Sequence, residues 1–96
     1  MNWFCYLLRC ADDTLYCGIT NDLEKRLAAH NAGTASKYTR ARVPVELAFI
    51  EPCTDRSAAS KREMQIKKMP RSEKLKLCAR PDQTVQNIRL AKSAGE

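Results

Sequence analysis

Two tyrosines, Tyr6 and Tyr16, an arginine and histidine one helical turn apart, Arg26 and His30, and a distant glutamate, Glu63, carry the side-chain types that phosphodiester chemistry uses. Such chemistry needs an activated water, neutralisation of the charge that develops on the phosphoryl oxygens, and help for the leaving oxygen. A guanidinium grips phosphate through its planar fork. A phenol or imidazole can take the proton of the attacking water, and a carboxylate can hold a hard cation whose shell is otherwise water. Each residue taken alone has an ordinary explanation: a tyrosine in a strand packs in a core, an arginine on a helix flank is solvated, and a histidine near a helix C-terminus complements the dipole. Only their joint arrangement points to a site, so the elements that would bring them together decide the matter.

Residues 3–9 and 14–19 are rich in aromatic and β-branched or apolar side chains, and Ala11-Asp12-Asp13 between them supplies turn chemistry, so the pair is expected to form a β-hairpin. A two-residue loop centred on Asp12 and Asp13 would put Tyr6 and Tyr16 on opposite faces; a three-residue loop centred on Asp12 would put them on the same face. Both registers are open at this point. Gly18 is compatible with a close backbone approach or a bend. Thr20 or Asn21 is expected to cap the following helix, with Asp22 and Glu24 at its positive end, Leu23 and Leu27 beginning its buried stripe, Arg26 and His30 beside that stripe, and Asn31 and Gly33 ending it.

Residues 33–44, GTASKYTRARVP, are expected to form a basic loop. Val45, Leu47 and Phe49 alternate with polar or small residues, predicting a third strand with one buried face, closed by Pro52. Thr54 or Asp55 then caps a second helix over roughly 56–69, and a short third helix carrying Leu75 and Leu77 follows the interruption at Pro70 and Arg71. Ala59, Glu63 and Ile66 stand at i, i+4 and i+7, which places a carboxylate on an apolar stripe. Such burial is costly unless the charge is paired, for instance with Arg26, or holds a cation. Residues 1–80 are expected to make one domain and residues 81–96 a tail, partly disordered or loosely docked.

With 17 basic and 11 acidic side chains the chain carries a net charge of +6, which favours an anionic partner. The charge is uneven: Gly33 to Pro81 holds twelve Lys or Arg against five Asp or Glu, and the remainder is slightly acidic. Lys37, Thr39, Arg40, Arg42, Lys67 and Lys68 are therefore candidates for tracking a phosphate backbone, with DNA the first expectation and RNA the second. Nothing in the pattern addresses base edges, so recognition by shape is the default. The start, MNWFCYLL, lacks the basic region of a signal peptide, and no apolar run approaches a membrane span. The five cysteines are odd in number and never spaced C-x-x-C, which argues for reduced thiols packed as small hydrophobes in a cytoplasmic protein.

Tyr6, Tyr16-Cys17-Gly18, Arg26, His30 and Glu63, in that order and spacing, resemble the GIY-YIG nuclease superfamily. Phe4-Cys5-Tyr6 stands for the first strand motif, without its glycine, and Tyr16-Cys17-Gly18 for the second. The run Arg26-Leu27-Ala28-Ala29-His30-Asn31 and the loop Lys37-Tyr38-Thr39-Arg40 are similar to those of small stand-alone bacterial members. The resemblance covers residue 3 to about residue 78 and implies an α/β (α+β) domain: a small, mainly antiparallel three-stranded sheet flanked by helices. It also implies a divalent-metal-dependent endonuclease acting on DNA in repair, recombination or processing. Glu63 would bind one Mg²⁺ or Mn²⁺, Arg26 would grip the scissile phosphate, and Tyr6, its pKa lowered by the metal or a neighbouring cation, would act as general base. Tyr16 would bond phosphate or water, and His30 would relay a proton or contact phosphate. An unperturbed phenol is anionic in only about one molecule in a thousand at neutral pH, so the assignment of Tyr6 depends on that perturbation. One departure is plain: many members carry an asparagine after the glutamate, whereas Lys74-Leu75-Lys76-Leu77-Cys78 has none. The alternative is a nucleic-acid-binding protein of the same fold with little or no cleavage, or an interaction module working with a targeting partner.

Overall fold

The computed structural model describes residues 2–79, so the domain end at residue 80 and the tail at 81–96 lie outside the described residues. The elements run β1 (Trp3–Arg9), β2 (Leu15–Thr20), α1 (Leu23–Asn31), α2 (Lys37–Arg40), β3 (Glu46–Cys53), α3 (Arg56–Lys67) and α4 (Arg71–Cys78). The three strands form one antiparallel sheet in the order β2-β1-β3, with β1 in the centre. This is the α+β architecture expected from the sequence.

The hairpin has the three-residue loop. Cys10 N–H donates to Thr14 C=O at 2.9 Å and Asp13 N–H to Cys10 C=O at 2.9 Å, leaving Ala11, Asp12 and Asp13 as the loop. Asp13 takes a positive φ of 68°, the left-handed residue that completes this loop type without glycine. The Asp12 carboxylate accepts from Thr14 Oγ1 at 2.6 Å, fixing the turn locally. With this loop, Tyr6 pairs with Gly18 and Leu8 with Tyr16, so both tyrosines project from the same face.

Both faces of the sheet are buried. On one, Tyr6, Leu8, Cys10, Val45, Leu47 and Ile50 pack with Leu23 and Leu27 of α1. On the other, Cys5, Leu7, Cys17 and Phe49 pack under Ile66 of α3, with Met69, Leu77 and Cys78 against them. The expected single buried face of the third strand is thus corrected by a β-bulge. Leu7 pairs with Phe49 but Leu8 pairs with Leu47, so Ala48 is the extra residue and the side chains on either side of it serve opposite faces. The strand also continues through Pro52 to Cys53, which an edge strand tolerates.

Two helix starts differ from expectation. The cap of α1 is Asp22, whose carboxylate accepts from Lys25 N–H at 3.1 Å, while Thr20 Oγ1 accepts from Asp22 N–H at 3.0 Å and so braces the cap rather than forming it. Within the segment expected to be a loop, Ser36 caps the single-turn helix α2 by accepting from Tyr38 N–H at 3.1 Å. Asp55, one of the two expected candidates, caps α3 through Ala58 N–H at 2.8 Å. Asn31 at the end of α1 makes a two-way bond to Val45, the residue immediately before β3, accepting from its N–H at 2.7 Å and donating to its C=O at 3.1 Å. That bond ties the helix carrying Arg26 and His30 to the far edge strand. No described helix is long and apolar enough to cross a membrane, and all five cysteines are free.

Ile66 is fully buried and is the contact through which α3 seats on the sheet. Ile66→Ala is expected to lower unfolding free energy by about 2–5 kcal/mol, the usual cost of a large-to-small change in a core, measured as a drop in the urea midpoint at unchanged m-value.

Candidate active site

The register places Tyr6 directly opposite Gly18, and its ring lies across that residue. A Cβ at position 18 would stand 2.5 Å from the Tyr6 hydroxyl and 2.7 Å from Cζ, so the absence of a side chain is what lets the ring through. Crossing Gly18 carries the hydroxyl towards the β2 edge of the sheet, where side chains from helices on both faces can act on it.

On the α1 side the hydroxyl meets His30. Tyr6 Oη lies 3.0 Å from His30 Nε2, and His30 Nδ1 lies 2.8 Å from Thr39 Oγ1. Thr39 Oγ1 also lies 3.4 Å from the Ser36 carbonyl, to which only its hydroxyl can donate; in the tautomer that matches this contact, Thr39 Oγ1 accepts from Nδ1–H and Nε2 accepts the tyrosine proton. His30 is 1% exposed and Thr39 0%. Of the two roles expected for His30, burial leaves the proton relay and removes the phosphate contact. Thr39, a candidate for touching nucleic acid, is corrected to a residue that holds the imidazole in place. No local sequence signal joins positions 30 and 39; the partnership arises because α2 docks against the end of α1.

The protein's own groups do not by themselves lower the Tyr6 pKa. Burial, with the neighbouring Tyr16 hydroxyl next, pushes its pKa well above the ordinary phenol value; the Arg26 cation pulls the other way and loses, and Glu63 adds to the rise. A resting phenolate is therefore disfavoured. His30 moves downwards, through burial first and the Arg26 charge second, and stays neutral at physiological pH. The pair is thus a protonated phenol donating to a neutral imidazole.

Arg26 is exposed and forms no ion pair among the described residues; with Thr20, Asn21, Asp22, Lys25 and Ala29 it lines a cleft of about 280 Å³. Glu63 rises from α3 on the other side of the sheet, its side chain 23% exposed, and is paired with Lys67 at 3.5 Å rather than with Arg26. Lys67 is thereby engaged with a carboxylate rather than free for phosphate. No cluster of three or more histidine, cysteine or acidic ligands occurs among the described residues. One half-buried carboxylate with open surroundings nonetheless fits a Mg²⁺-type ion, which keeps most of its waters and borrows ligands from substrate phosphate.

The remaining basic candidates divide. Lys37, Arg40 and Lys68 are exposed and form no ion pair among the described residues. Arg42 is built into the structure: its Nε donates to Asp12 at 3.0 Å, its Nη1 to the Tyr38 carbonyl at 2.8 Å, and its guanidinium lies 4.0 Å from the Tyr38 ring centroid. Tyr38 in turn stacks on Tyr16 at 5.7 Å between centroids, and Tyr16 meets His30 edge-on at 5.2 Å. Tyr38 was not among the expected site residues, although an aromatic set inside a basic segment was the available signal.

A family model described as the GIY-YIG catalytic domain matches residues 2–76. Curated relatives include a UPF0213 protein of Nitratidesulfovibrio vulgaris, 48% identical over 76% of this chain and 66% of its own length. A UPF0213 protein of Natronomonas pharaonis is 49% identical over 79% of this chain and 89% of its own length. Among solved structures, the solution structure of a UPF0213 protein from Bacillus halodurans superposes with a TM-score of 0.51 at 34% identity, covering 80% of this chain and 82% of that one.

Two outcomes test the geometry. Gly18→Ala is expected to displace the Tyr6 ring at a cost of about 1–3 kcal/mol, as overpacking does, with loss of the Tyr6–His30 bond visible as a shift of the His30 ring resonances. Because the folded pKa of His30 lies below its unfolded value of 6.5, the unfolded chain binds more protons between the two values. His30 therefore contributes stability that is complete above pH 6.5 and lost as the pH falls from there towards the folded value; a series of urea midpoints should show this slope, absent in His30→Gln.

Proposed function

The chain belongs to the GIY-YIG catalytic-domain family, and from that premise we propose that it is a divalent-metal-dependent endonuclease hydrolysing phosphodiester bonds in DNA, selective for structure rather than sequence. The observation that carries this reading is the buried chain from Tyr6 through His30 to Thr39, with Arg26 and Glu63 near enough for their charges to act on the phenol. A core tyrosine needs only one hydrogen-bond partner. A phenol donating to a neutral imidazole that is itself locked in one tautomer is a device for moving a proton.

Tyr6 serves as a relay. Its oxygen takes a proton from the attacking water while its own proton passes to His30 Nε2, so no free phenolate forms and the raised phenol pKa is no obstacle. The water oxygen bonds to phosphorus, the bond to the leaving oxygen breaks, and that oxygen takes a proton from solvent; His30 finishes as imidazolium, held by Thr39. Arg26 binds the phosphate and offsets the charge that grows on its oxygens. Tyr16, fixed against His30 and Tyr38, directs its hydroxyl at the phosphate or the water. Glu63 would hold Mg²⁺ or Mn²⁺, which when bound supplies further charge neutralisation. Lys37, Arg40 and Lys68 contact the flanking backbone, so affinity should fall steeply with salt.

Cleavage of branched, duplex, single-stranded and RNA substrates with Mg²⁺ or Mn²⁺ tests the proposal. Glu63→Gln should abolish metal-dependent cutting, Arg26→Ala should cost about 10²–10³ in rate, and Tyr6→Phe and His30→Gln should each cost roughly 10²–10⁴. The base limb should follow His30, so the rate becomes level above about pH 6.5. A tenfold rise per pH unit continuing to pH 9 would restore Tyr6 as an unassisted base, and binding without cutting on every substrate would overturn the enzyme reading.

A further inference from the structure

The column of rings beside the catalytic tyrosines is not needed for proton transfer, and its outer members face solvent. Tyr38 is 39% exposed, one of three large apolar residues so exposed among the described residues. Its partner Arg42 has a side chain 34% exposed. The guanidinium has its charge met by Asp12 at 3.0 Å and is bonded to the Tyr38 carbonyl, so its orientation over the ring is fixed from two directions. An arginine arranged in this way is poorly disposed to grip a phosphate. It offers instead its own outward plane, held over an aromatic ring that backs it, and an oriented guanidinium plane is a surface on which unpaired bases stack.

The position of this surface gives it a function. Tyr38 stacks on Tyr16 at 5.7 Å, Tyr16 touches His30, and His30 bonds the Tyr6 hydroxyl at 3.0 Å. A base lying on this surface would thus belong to a strand that passes beside the two tyrosines of the proposed site. In a duplex the base faces are covered by their neighbours, and only an unpaired nucleotide can present one. The unpaired cations on the same short helix, Lys37 and Arg40, flank Tyr38 and are placed to hold the adjoining phosphates.

We infer that Tyr38 and Arg42 form a stacking wall for one unpaired nucleobase beside the two tyrosines of the proposed site, which makes the preferred substrate single-stranded DNA or the unpaired arm of a branch. The inference rests on the proposed nucleic-acid substrate but not on cleavage. It is tested by fluorescence anisotropy in EDTA on the full chain carrying Glu63→Gln, with a labelled single-stranded DNA 10-mer, the same strand with one base removed at each position in turn, and a blunt duplex of equal length.

The single strand should bind more tightly than the duplex at equal salt. Removing the base at one position should weaken binding by roughly 5- to 150-fold, the range for loss of one stacked base. Tyr38→Ala should produce a similar loss on the intact strand, remove the sensitivity to base deletion and leave duplex binding unchanged, whereas Tyr38→Phe should behave as the parent. Duplex binding as tight as the single strand, or a Tyr38→Ala loss equal on both, would overturn the inference. If these binding results hold while the chain with native Glu63 cuts nothing, the wall stands and the nuclease proposal falls; if single strands are cut but Tyr38→Ala leaves kcat/KM unchanged and base deletion has no effect, the reverse is true.

Discussion

The register of β1 against β2 is the constraint on which the rest of the site depends. A three-residue turn, closed by Asp13 at a positive φ of 68°, sets Tyr6 against Gly18 and Tyr16 against Leu8. Moving the pairing by one residue would send one tyrosine to the opposite face and put a side chain where the Tyr6 ring now crosses. The turn is held by more than its own backbone. Asp12 accepts from Thr14 and from Arg42, and Asp13 pairs with Arg9 at 3.6 Å and with Arg71 of α4 at 3.2 Å. Both acidic residues of the loop thus have partners outside it, and a local turn becomes a fixed point of the tertiary structure.

Burial then sets the chemistry. The same desolvation that raises the Tyr6 pKa lowers that of His30, because each group is held in its neutral form. A proton can move between the two without either being charged at rest. Arg26 reinforces this by opposing a positive charge on His30 while remaining exposed itself. Glu63 stands in the opposite layer, and its charge adds to the rise of the Tyr6 pKa.

What the sequence disclosed follows the range of the interactions involved. The hairpin, the α1 stripe of Leu23 and Leu27, the α3 cap at Asp55 and the partly buried place of Glu63 are all set within a few residues, and periodicity or turn chemistry exposes them. Some local questions were left: the turn length, whose answer depended on whether Asp13 would adopt a left-handed conformation, and the starts of α1 and α2, where Asp22 and Ser36 serve as caps among several residues able to do so. The remainder is decided at a distance. Ala48 looks like an ordinary member of an alternating strand, and only the need to supply Leu47 to one layer and Phe49 to the other makes it a bulge. Thr39 meets His30, and Arg42 meets Asp12, through docking that no spacing announces. Arg42 was legible as a cation but not as a neutralised one, because the position of a counter-charge 30 residues away is a property of the fold.

The bulge has a consequence beyond core packing. β3 is an edge strand, and an edge normally offers a row of unpaired donors and acceptors on which another chain can build. Here the ladder loses its regular spacing at Ala48, and Pro52 near the strand's end has no N–H to give. The irregularity that lets one short strand serve two hydrophobic layers therefore also makes it a poor template for sheet extension between molecules. In a domain with only three strands, the same defect fills the core and discourages edge-to-edge aggregation.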